Sequence, residues 1–203
     1  MKNALIKEME NIEIEIKLKL DDPKRILNWL KKNAKLIKIS DDADYYFDPP
    51  DRSFIYKNKH DGTKDADEWF RLRVSEKGNE ICYKKWYRNE KTGKSLYADE
   101  IETLVGDQKK VLEILKRLGF KETSVIKKHR VSYQYKEFRF DCDTVEGLGF
   151  FVEVEFKGEI DDPAEGKEKI FTMLKEIGIT DWKKTKRGYS WIQWNPANEH
   201  YED

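Results

Sequence analysis

Strict alternation of apolar and charged residues is the feature that most limits how this chain can fold. Between Asn11 and Leu20 every even position is Ile or Leu, and the odd positions from 13 to 19 are Glu or Lys. A period of two places successive side chains on opposite faces of a β-strand. Similar alternation returns in Glu68–Val74, Tyr97–Leu104 and Phe150–Lys157. The chain therefore predicts a sheet with one apolar face and one charged face.

Three helical segments interrupt the predicted strands. The first begins at Asp21-Asp22-Pro23, where acidic residues and a proline are typical of a helix N-terminus. The second, Asp107–Leu118, and the third, Pro163–Ile177, are each followed by a glycine suited to the C′ position. Many hairpin-linked strands with few helices favour an α+β fold with an antiparallel sheet or barrel.

The remaining segments carry weaker patterns. Lys57–Asp67 is almost entirely polar and is predicted to be a mobile loop. Tyr189–Trp194 is predicted to form a last short strand, and the polar tail 195–203 is predicted to be frayed. Since no linker divides the chain, residues 1–203 are predicted to form a single domain with a core of about 11–192.

The charge composition excludes several classes of protein. Charged residues make up 39% of the chain, but 40 basic and 40 acidic residues cancel. A nucleic-acid-binding surface usually brings net positive charge, and a disordered polyelectrolyte brings net charge of either sign. The sequence has no apolar run of transmembrane length and no signal peptide in Met1–Glu10, so we expect a cytoplasmic protein with no nucleic-acid or membrane partner.

The polar positions of the predicted strands are almost all charged, with eight acids and eight bases. The acids are Glu13, Glu15, Glu100, Glu102, Asp141, Asp143, Glu153 and Glu155. The bases are Lys17, Lys19, Arg71, Arg73, Lys84, Lys128, Arg130 and Arg139. A solvated sheet face would explain them. The paired acids repel each other, however, and suit a hard divalent cation, so an inward-facing, ligand-binding surface is the competing interpretation.

A set of short motifs in order along the chain resembles the CYTH superfamily, the triphosphate tunnel metalloenzymes. The motifs are Glu13-Ile14-Glu15-Ile16-Lys17, Tyr46-Phe47-Asp48, Arg71-Leu72-Arg73, Tyr83-Lys84, Glu100-Ile101-Glu102, Lys128-His129-Arg130, Asp143–Gly149, Phe151–Glu155 and Arg187-Gly188-Tyr189. They span residues 11–192 and are most similar to the branch of class IV adenylyl cyclases, or CyaB-like proteins.

The resemblance implies an eight-stranded antiparallel β-barrel, a triphosphate tunnel, with helices packed outside. It implies Mg²⁺ or Mn²⁺ as cofactor, held by Glu13, Glu15, Asp143, Glu153 and Glu155, with Glu100 and Glu102 as further ligands. The substrate-binding residues would be Lys17, Arg71, Arg73, Lys84, Lys128, Arg130 and Arg187. The catalytic residues would be Glu13, Glu15, Lys17, Lys84 and Arg130.

Several functions remain open at this point. The resemblance implies hydrolysis of tripolyphosphate, thiamine triphosphate or nucleoside triphosphates, or conversion of ATP to cyclic AMP and pyrophosphate. Hydrolysis is preferred because it needs only metals, a basic wall and water. A non-catalytic polyphosphate or nucleotide binder, and an exposed charged surface for a protein partner, are the alternatives of another class. Dimers occur among similar proteins, which leaves a homodimer open.

Overall fold

The computed structural model describes residues 14–59, 61–88, 95–160, 163–185, 187–198 and 201–202, which form an α+β fold around one large antiparallel sheet. The strands are β1 (Ile14–Lys19), β2 (Lys35–Asp48), β3 (Ile55–Lys57), β4 (Lys64–Ala66), β5 (Glu68–Ser75), β6 (Asn79–Arg88), β7 (Ser95–Val105), β8 (Lys121–Tyr135), β9 (Phe138–Val145), β10 (Gly149–Phe156), β11 (Lys183–Thr185) and β12 (Tyr201–Glu202). The helices are α1 (Lys24–Asn33), α2 (Gln108–Arg117), α3 (Pro163–Glu176) and α4 (Tyr189–Trp194).

The predicted closed barrel of eight strands is wrong. Among the described residues the sheet has ten strands in the order β12-β11-β1-β10-β9-β8-β2-β5-β6-β7, and its two edge strands, β12 and β7, are not hydrogen-bonded to each other. The reason lies at β1, whose outer edge pairs with β11 through Lys17 opposite Thr185 and Lys19 opposite Lys183. An edge occupied in this way is not available to close the sheet.

Helices α1 and α3 cover one half of the sheet through its apolar face. Leu18 of β1, Phe140 of β9 and Val154 of β10 are fully buried and pack with Leu30 of α1 and Leu174 of α3. These strand residues occupy the apolar positions of the alternating pattern, so the predicted division into two faces is confirmed. We refer to the helix-covered face as the outer face and to the opposite, charged face as the inner face.

Helix α2 covers the other half of the outer face. Its Leu115 packs with Phe47 of β2 and Leu72 of β5. The carboxylate of Asp107 accepts hydrogen bonds from the backbone amides of Lys109 and Lys110 at 3.0 and 3.1 Å and so caps the helix N-terminus. The predicted start and end of this helix are therefore confirmed to within a residue or two.

Helix α4 lies on the inner face, and its prediction as a strand is wrong. Tyr189 and Ile192 pack against Ile126 of β8 and Phe151 of β10. The segment is six residues long and four of them are buried, so its sequence is too short and too apolar to display a helical period.

The far end of α4 reaches the opposite half of the sheet. The ring of Trp194 stacks on that of Trp69 in β5, with centroids 5.4 Å apart. Next to it, the side chain of Asn195 bonds the backbone of Lys64 in β4, at 3.0 Å to the amide and 2.9 Å to the carbonyl. The helix thus crosses the inner face and connects β8 and β10 to β5 and to the β3–β4 hairpin.

Two segments predicted as mobile contain ordered structure. Part of the loop Lys57–Asp67 belongs to the β3–β4 hairpin, whose Asp65 accepts a 2.7 Å hydrogen bond from Arg187. In the tail, Asn195 is buried and β12 pairs with β11. Contacts with distant residues order both segments, and composition alone does not reveal such contacts.

The middle of β2, from Ile39 to Asp44, has an inverted burial pattern. Its polar residues Ser40, Asp42 and Asp44 are buried on the inner face, whereas Ile39 on the outer face is 47% exposed.

The helices among the described residues all fall short of the length and apolarity that a membrane span requires.

Candidate active site

The strand register gathers the charged residues into one surface on the inner face. Lys17 of β1 lies opposite Glu153 of β10, and Glu153 lies opposite Asp141 of β9. Arg130 of β8 lies opposite Asp143 of β9. Because opposed residues of an antiparallel pair point to the same side of the sheet, these side chains form a continuous network of both signs.

Arg130 is the centre of this network. Its Nε and Nη2 donate to the two carboxylate oxygens of Asp143 at 2.6 and 2.5 Å. Nη1 donates to Asp141 at 2.9 Å, and Nη2 donates also to Glu153 at 2.5 Å. The Arg130 side chain is only 10% exposed and that of Asp143 is fully buried. The guanidinium plane is therefore fixed by three carboxylates from two neighbouring strands.

Asp44 of β2 joins the network to β5. The guanidinium of Arg73 donates to its two oxygens at 2.6 and 2.9 Å, and the Lys128 ammonium lies 3.3 Å away. Burial alone would raise the pKa of Asp44, but Lys128 and Arg73 outweigh it and hold the pKa well below its usual range. Burial lowers the pKa of Lys128, and Asp44 opposes that shift. Asp44 is thus a carboxylate at neutral pH.

Lys17 and Tyr189 complete the network on the β1 side. The Lys17 ammonium lies 2.9 Å from Glu153 and 4.1 Å from the ring centroid of Tyr189, whose hydroxyl donates to Asp143 at 2.9 Å. Burial would raise the pKa of Glu153, but Lys17 and Arg130 hold it well below its usual range. Burial and the nearby Glu153 and Asp143 raise the pKa of Tyr189, which therefore stays a hydrogen-bond donor.

A second cluster lies on β5, β6 and β7. Arg71 donates to Glu80 at 2.8 Å, and the Lys84 ammonium donates to Glu100 at 2.7 Å. The thiol of Cys82 donates to the other oxygen of Glu100 at 3.0 Å. Lys84 is on the inner face, as the alternation of this strand predicts.

Comparison with known proteins identifies the family of this chain. A family model described as the CYTH domain matches residues 11–189. The chain belongs to the CYTH family. A protein of Methanocaldococcus jannaschii with the name "Putative adenylate cyclase MJ0240" is 34% identical over 180 residues, which is 88% of this chain and 96% of that protein.

Solved structures of other proteins share the fold. A conserved hypothetical protein from Pyrococcus furiosus is 27% identical, with a TM-score of 0.66 over 88% of this chain and 98% of that one. "Putative adenylyl cyclase HpAC1" from Hippeastrum, described as having a dominant triphosphatase activity, is 20% identical, with a TM-score of 0.58 over 89% and 93% of the two chains. The second likeness concerns the fold alone.

Most of the predicted site residues lie on the inner face, but they do not form a single group. Those in the Arg130 network are Lys17, Arg73, Lys128, Arg130, Asp143 and Glu153. Arg71, Lys84 and Glu100 belong to the second cluster, and Glu102 beside them is exposed. Arg187 binds Asp65 of the β3–β4 hairpin. Glu13 lies outside the described residues.

The acids of β1 and β10 fit the divalent metal that the CYTH family implies. Glu15 and Glu155 lie directly opposite each other in the register, with Glu153 next along β10. Like charges in that position destabilise a sheet, and a cation coordinated by their oxygens would relieve the repulsion. Asp143 and Glu153 fit less well, since the oxygens of Asp143 already accept hydrogen bonds from Arg130 and Tyr189, and those of Glu153 already contact Arg130 and Lys17.

Sequence reasoning missed Asp44 and did not assign Tyr189 to the network. Asp44 shares strand parity with Tyr46, which the family motif contains, so the same parity argument that placed Arg71 and Arg73 could have found it. Tyr189 could not be found in this way, because strand parity tells only which face of the sheet a strand residue lies on. Its segment was predicted as a strand, but it forms the helix α4, which packs on the inner face.

The two cysteines should be unreactive in the folded protein. Burial raises the pKa of both Cys82 and Cys142 to about 12, so the reactive thiolate is scarce at neutral pH. We expect neither thiol to react with iodoacetamide at pH 8 within minutes, and both to react in guanidinium chloride. Mass spectrometry of the alkylated peptides checks this, and rapid labelling of Cys82 in the native protein would contradict the buried thiol.

Proposed function

We propose that this CYTH protein is a metal-dependent enzyme that binds a linear triphosphate against its inner face and hydrolyses it. The observation that carries the proposal is that six bases on this face each have a carboxylate partner. They are Lys17, Arg71, Arg73, Lys84, Lys128 and Arg130. Arg and Lys bind phosphate oxygens through charge-assisted hydrogen bonds, so a polyanion is the ligand that this surface suits.

The carboxylates position the bases before substrate arrives. Asp143 holds two nitrogens of Arg130, and Asp44 holds two nitrogens of Arg73. Side chains fixed in this way lose little freedom when they bind a phosphate, and their charges already point to where negative charge develops in phosphoryl transfer. In this scheme Lys17, Lys84 and Arg130 stabilise the transition state, and Arg71, Arg73, Lys128 and Arg187 hold the remaining phosphate oxygens.

The metal site belongs to the same proposal. Glu13, Glu15, Glu153 and Glu155 would hold Mg²⁺ or Mn²⁺, with Asp143, Glu100 and Glu102 as further candidate ligands. A bound divalent cation polarises a phosphoryl oxygen and activates a water molecule. The register sets Glu15 directly opposite Glu155, a pair of like charges that a divalent cation would stabilise, and this supports an enzyme over a non-catalytic phosphate binder.

Adenylyl cyclase activity is the second candidate, and the name of the Methanocaldococcus jannaschii relative supports it. Cyclisation requires the ribose 3′-hydroxyl within about 3 Å of the α-phosphorus and in line with the leaving group. The activity described for the Hippeastrum protein supports the view that this fold can carry triphosphate hydrolysis. Hydrolysis requires fewer positioned groups, and we keep it as the preferred reaction.

One assay separates these candidates. The protein is incubated with tripolyphosphate, thiamine triphosphate or ATP, each with Mg²⁺ or Mn²⁺, and phosphate, pyrophosphate and cyclic AMP are quantified. We expect metal-dependent release of phosphate from at least one substrate and little cyclic AMP. Cyclic AMP with stoichiometric pyrophosphate would establish the cyclase instead. Binding of all three without turnover would establish a non-catalytic binder.

A further inference from the structure

Asp42 is a buried carboxylate on the inner face of β2 with no partner among the described residues. It is 3% exposed, and neither of its oxygens accepts a hydrogen bond within that part of the chain. The hydroxyl of Ser40, two residues earlier on the same face, is also buried and without a hydrogen-bond partner. An isolated buried carboxylate costs several kcal/mol unless a cation or a proton neutralises it.

Asp42 differs from the neighbouring acids of the inner face named below, each of which contacts a base. Asp44 contacts Arg73 and Lys128, whereas Asp141 and Asp143 contact Arg130. Glu153, likewise, contacts both Lys17 and Arg130.

Lys128, the base directly opposite Asp42 in the register, does not neutralise it. Its ammonium lies 3.3 Å from Asp44 and 3.8 Å from Asp143, and it makes no hydrogen bond to Asp42. Asp42 thus has neither an ion-pair nor a hydrogen-bond partner among the described residues.

We propose that Asp42 binds a monovalent alkali cation, Na⁺ or K⁺, together with the hydroxyls of Ser40 and Ser75. Ser75 of β5 lies directly opposite Asp42 in the register, so its side chain is a cross-strand neighbour on the same face. All the donors are oxygens, the ligands that hard cations take. A single positive charge cancels the single charge of Asp42, whereas a divalent ion would leave an excess of positive charge beside Lys128 and Arg73.

The cation has a definite role in the network. Without it, Asp42 and Asp44 compete for the same Lys128 ammonium, because both lie next to Lys128 on the inner face. With Asp42 neutralised, Lys128 stays directed towards Asp44 and Asp143. The site is separate from the opposed acids of β1 and β10, and the inference does not depend on the proposed reaction.

Thermal unfolding of the full chain without substrate or divalent metal tests the proposal. Circular dichroism is recorded in NaCl, KCl or tetramethylammonium chloride at equal ionic strength, since tetramethylammonium is too large for the site. We expect the Tm to be about 5 °C higher in NaCl or KCl. The difference should disappear in Asp42→Asn and persist in Asp41→Asn, whose exposed carboxylate lies on the outer face 2.8 Å from His129.

Every other outcome overturns the proposal. Equal Tm values of the wild type in the three salts, with Asp42→Asn at least as stable, would mean that Asp42 is protonated. Stabilisation by MgCl₂ but not by NaCl or KCl would mean a divalent site. If Asp42→Asn does not fold, ²³Na NMR of the wild type decides. Line broadening that KCl reverses and tetramethylammonium chloride does not reverse supports the site, and unbroadened lines overturn it.

Discussion

Arg130→Met should lower the free energy of unfolding by about 3–5 kcal/mol at pH 7 and abolish triphosphate turnover. Removing one member of a buried ion network leaves its partners charged and desolvated, which is far more costly than the net worth of the pair. Here three carboxylates, those of Asp141, Asp143 and Glu153, would lose the same guanidinium. Urea denaturation followed by tryptophan fluorescence measures the loss.

The pH dependence of that loss separates lost charge from lost packing. The pKa of Glu153 is held well below its usual range in the folded protein, so its pairing contributes stability above the unfolded pKa of about 4 and loses it as the pH falls through the folded value. In Arg130→Met that carboxylate protonates more readily. The stability difference from the wild type should therefore shrink between pH 7 and pH 4, and a constant difference would contradict the electrostatic origin.

Arg130→Lys is the matched variant for activity. Lysine keeps the positive charge but cannot hold Asp143 through two parallel hydrogen bonds. We expect a folded protein whose turnover falls by about 100-fold, in line with the loss of one positioned donor to a transition state. Wild-type turnover in Arg130→Lys would remove Arg130 from the catalytic residues.

Glu153→Gln should lose metal-dependent turnover by at least about 100-fold and also lose stability. Relief of repulsion between the paired acids of β10 would by itself predict almost no loss of stability. The structure changes that expectation, because Glu153 accepts from Arg130 at 2.5 Å and lies 2.9 Å from the Lys17 ammonium. Replacing a carboxylate that contacts the buried Arg130 and the half-buried Lys17 costs about 1.5–3 kcal/mol for each charged hydrogen bond lost.

A titration with Mg²⁺ or Mn²⁺ tests whether Glu153 is a metal ligand or only positions Lys17 and Arg130. If it is a metal ligand, the variant should need a higher metal concentration for any residual turnover. Glu146→Gln is the control, because Glu146 is exposed and its nearest base, Lys127, lies 4.0 Å away. An unchanged metal dependence in Glu153→Gln would leave this residue as a positioning residue for Lys17 and Arg130 only.

Strand parity predicted much of the site, because a period of two is a strong signal wherever the two faces differ. It placed Lys84 inward, and the register agrees. It failed in the middle of β2, where Asp41 and Asp42 are adjacent acids on opposite faces and the outer face is only partly buried. Because acids occupy both faces here, apolar and charged residues do not alternate. The pattern therefore predicted neither the start of β2 nor the burial of Asp42.

Closure of the sheet could not be predicted for a different reason. The number of strands and their alternation are local properties, whereas closure depends on which edges meet. The pairing of β11 with β1 and the placement of α4 on the inner face rest on contacts between residues far apart in the chain, such as Arg187 with Asp65. Such pairings leave no periodic trace in the sequence.

The position of α4 makes the two ends of the inner face unequal. At one end the Trp69–Trp194 stack joins α4 to β5, and the bonds of Asn195 to Lys64 join it to the β3–β4 hairpin, so side chains cover that end of the inner face. On the proposed function, a polyphosphate substrate would reach the inner face from the other end, with its terminus first. Long inorganic polyphosphate should accordingly be shortened from its ends, one terminal unit at a time, without internal cuts that yield fragments of intermediate length.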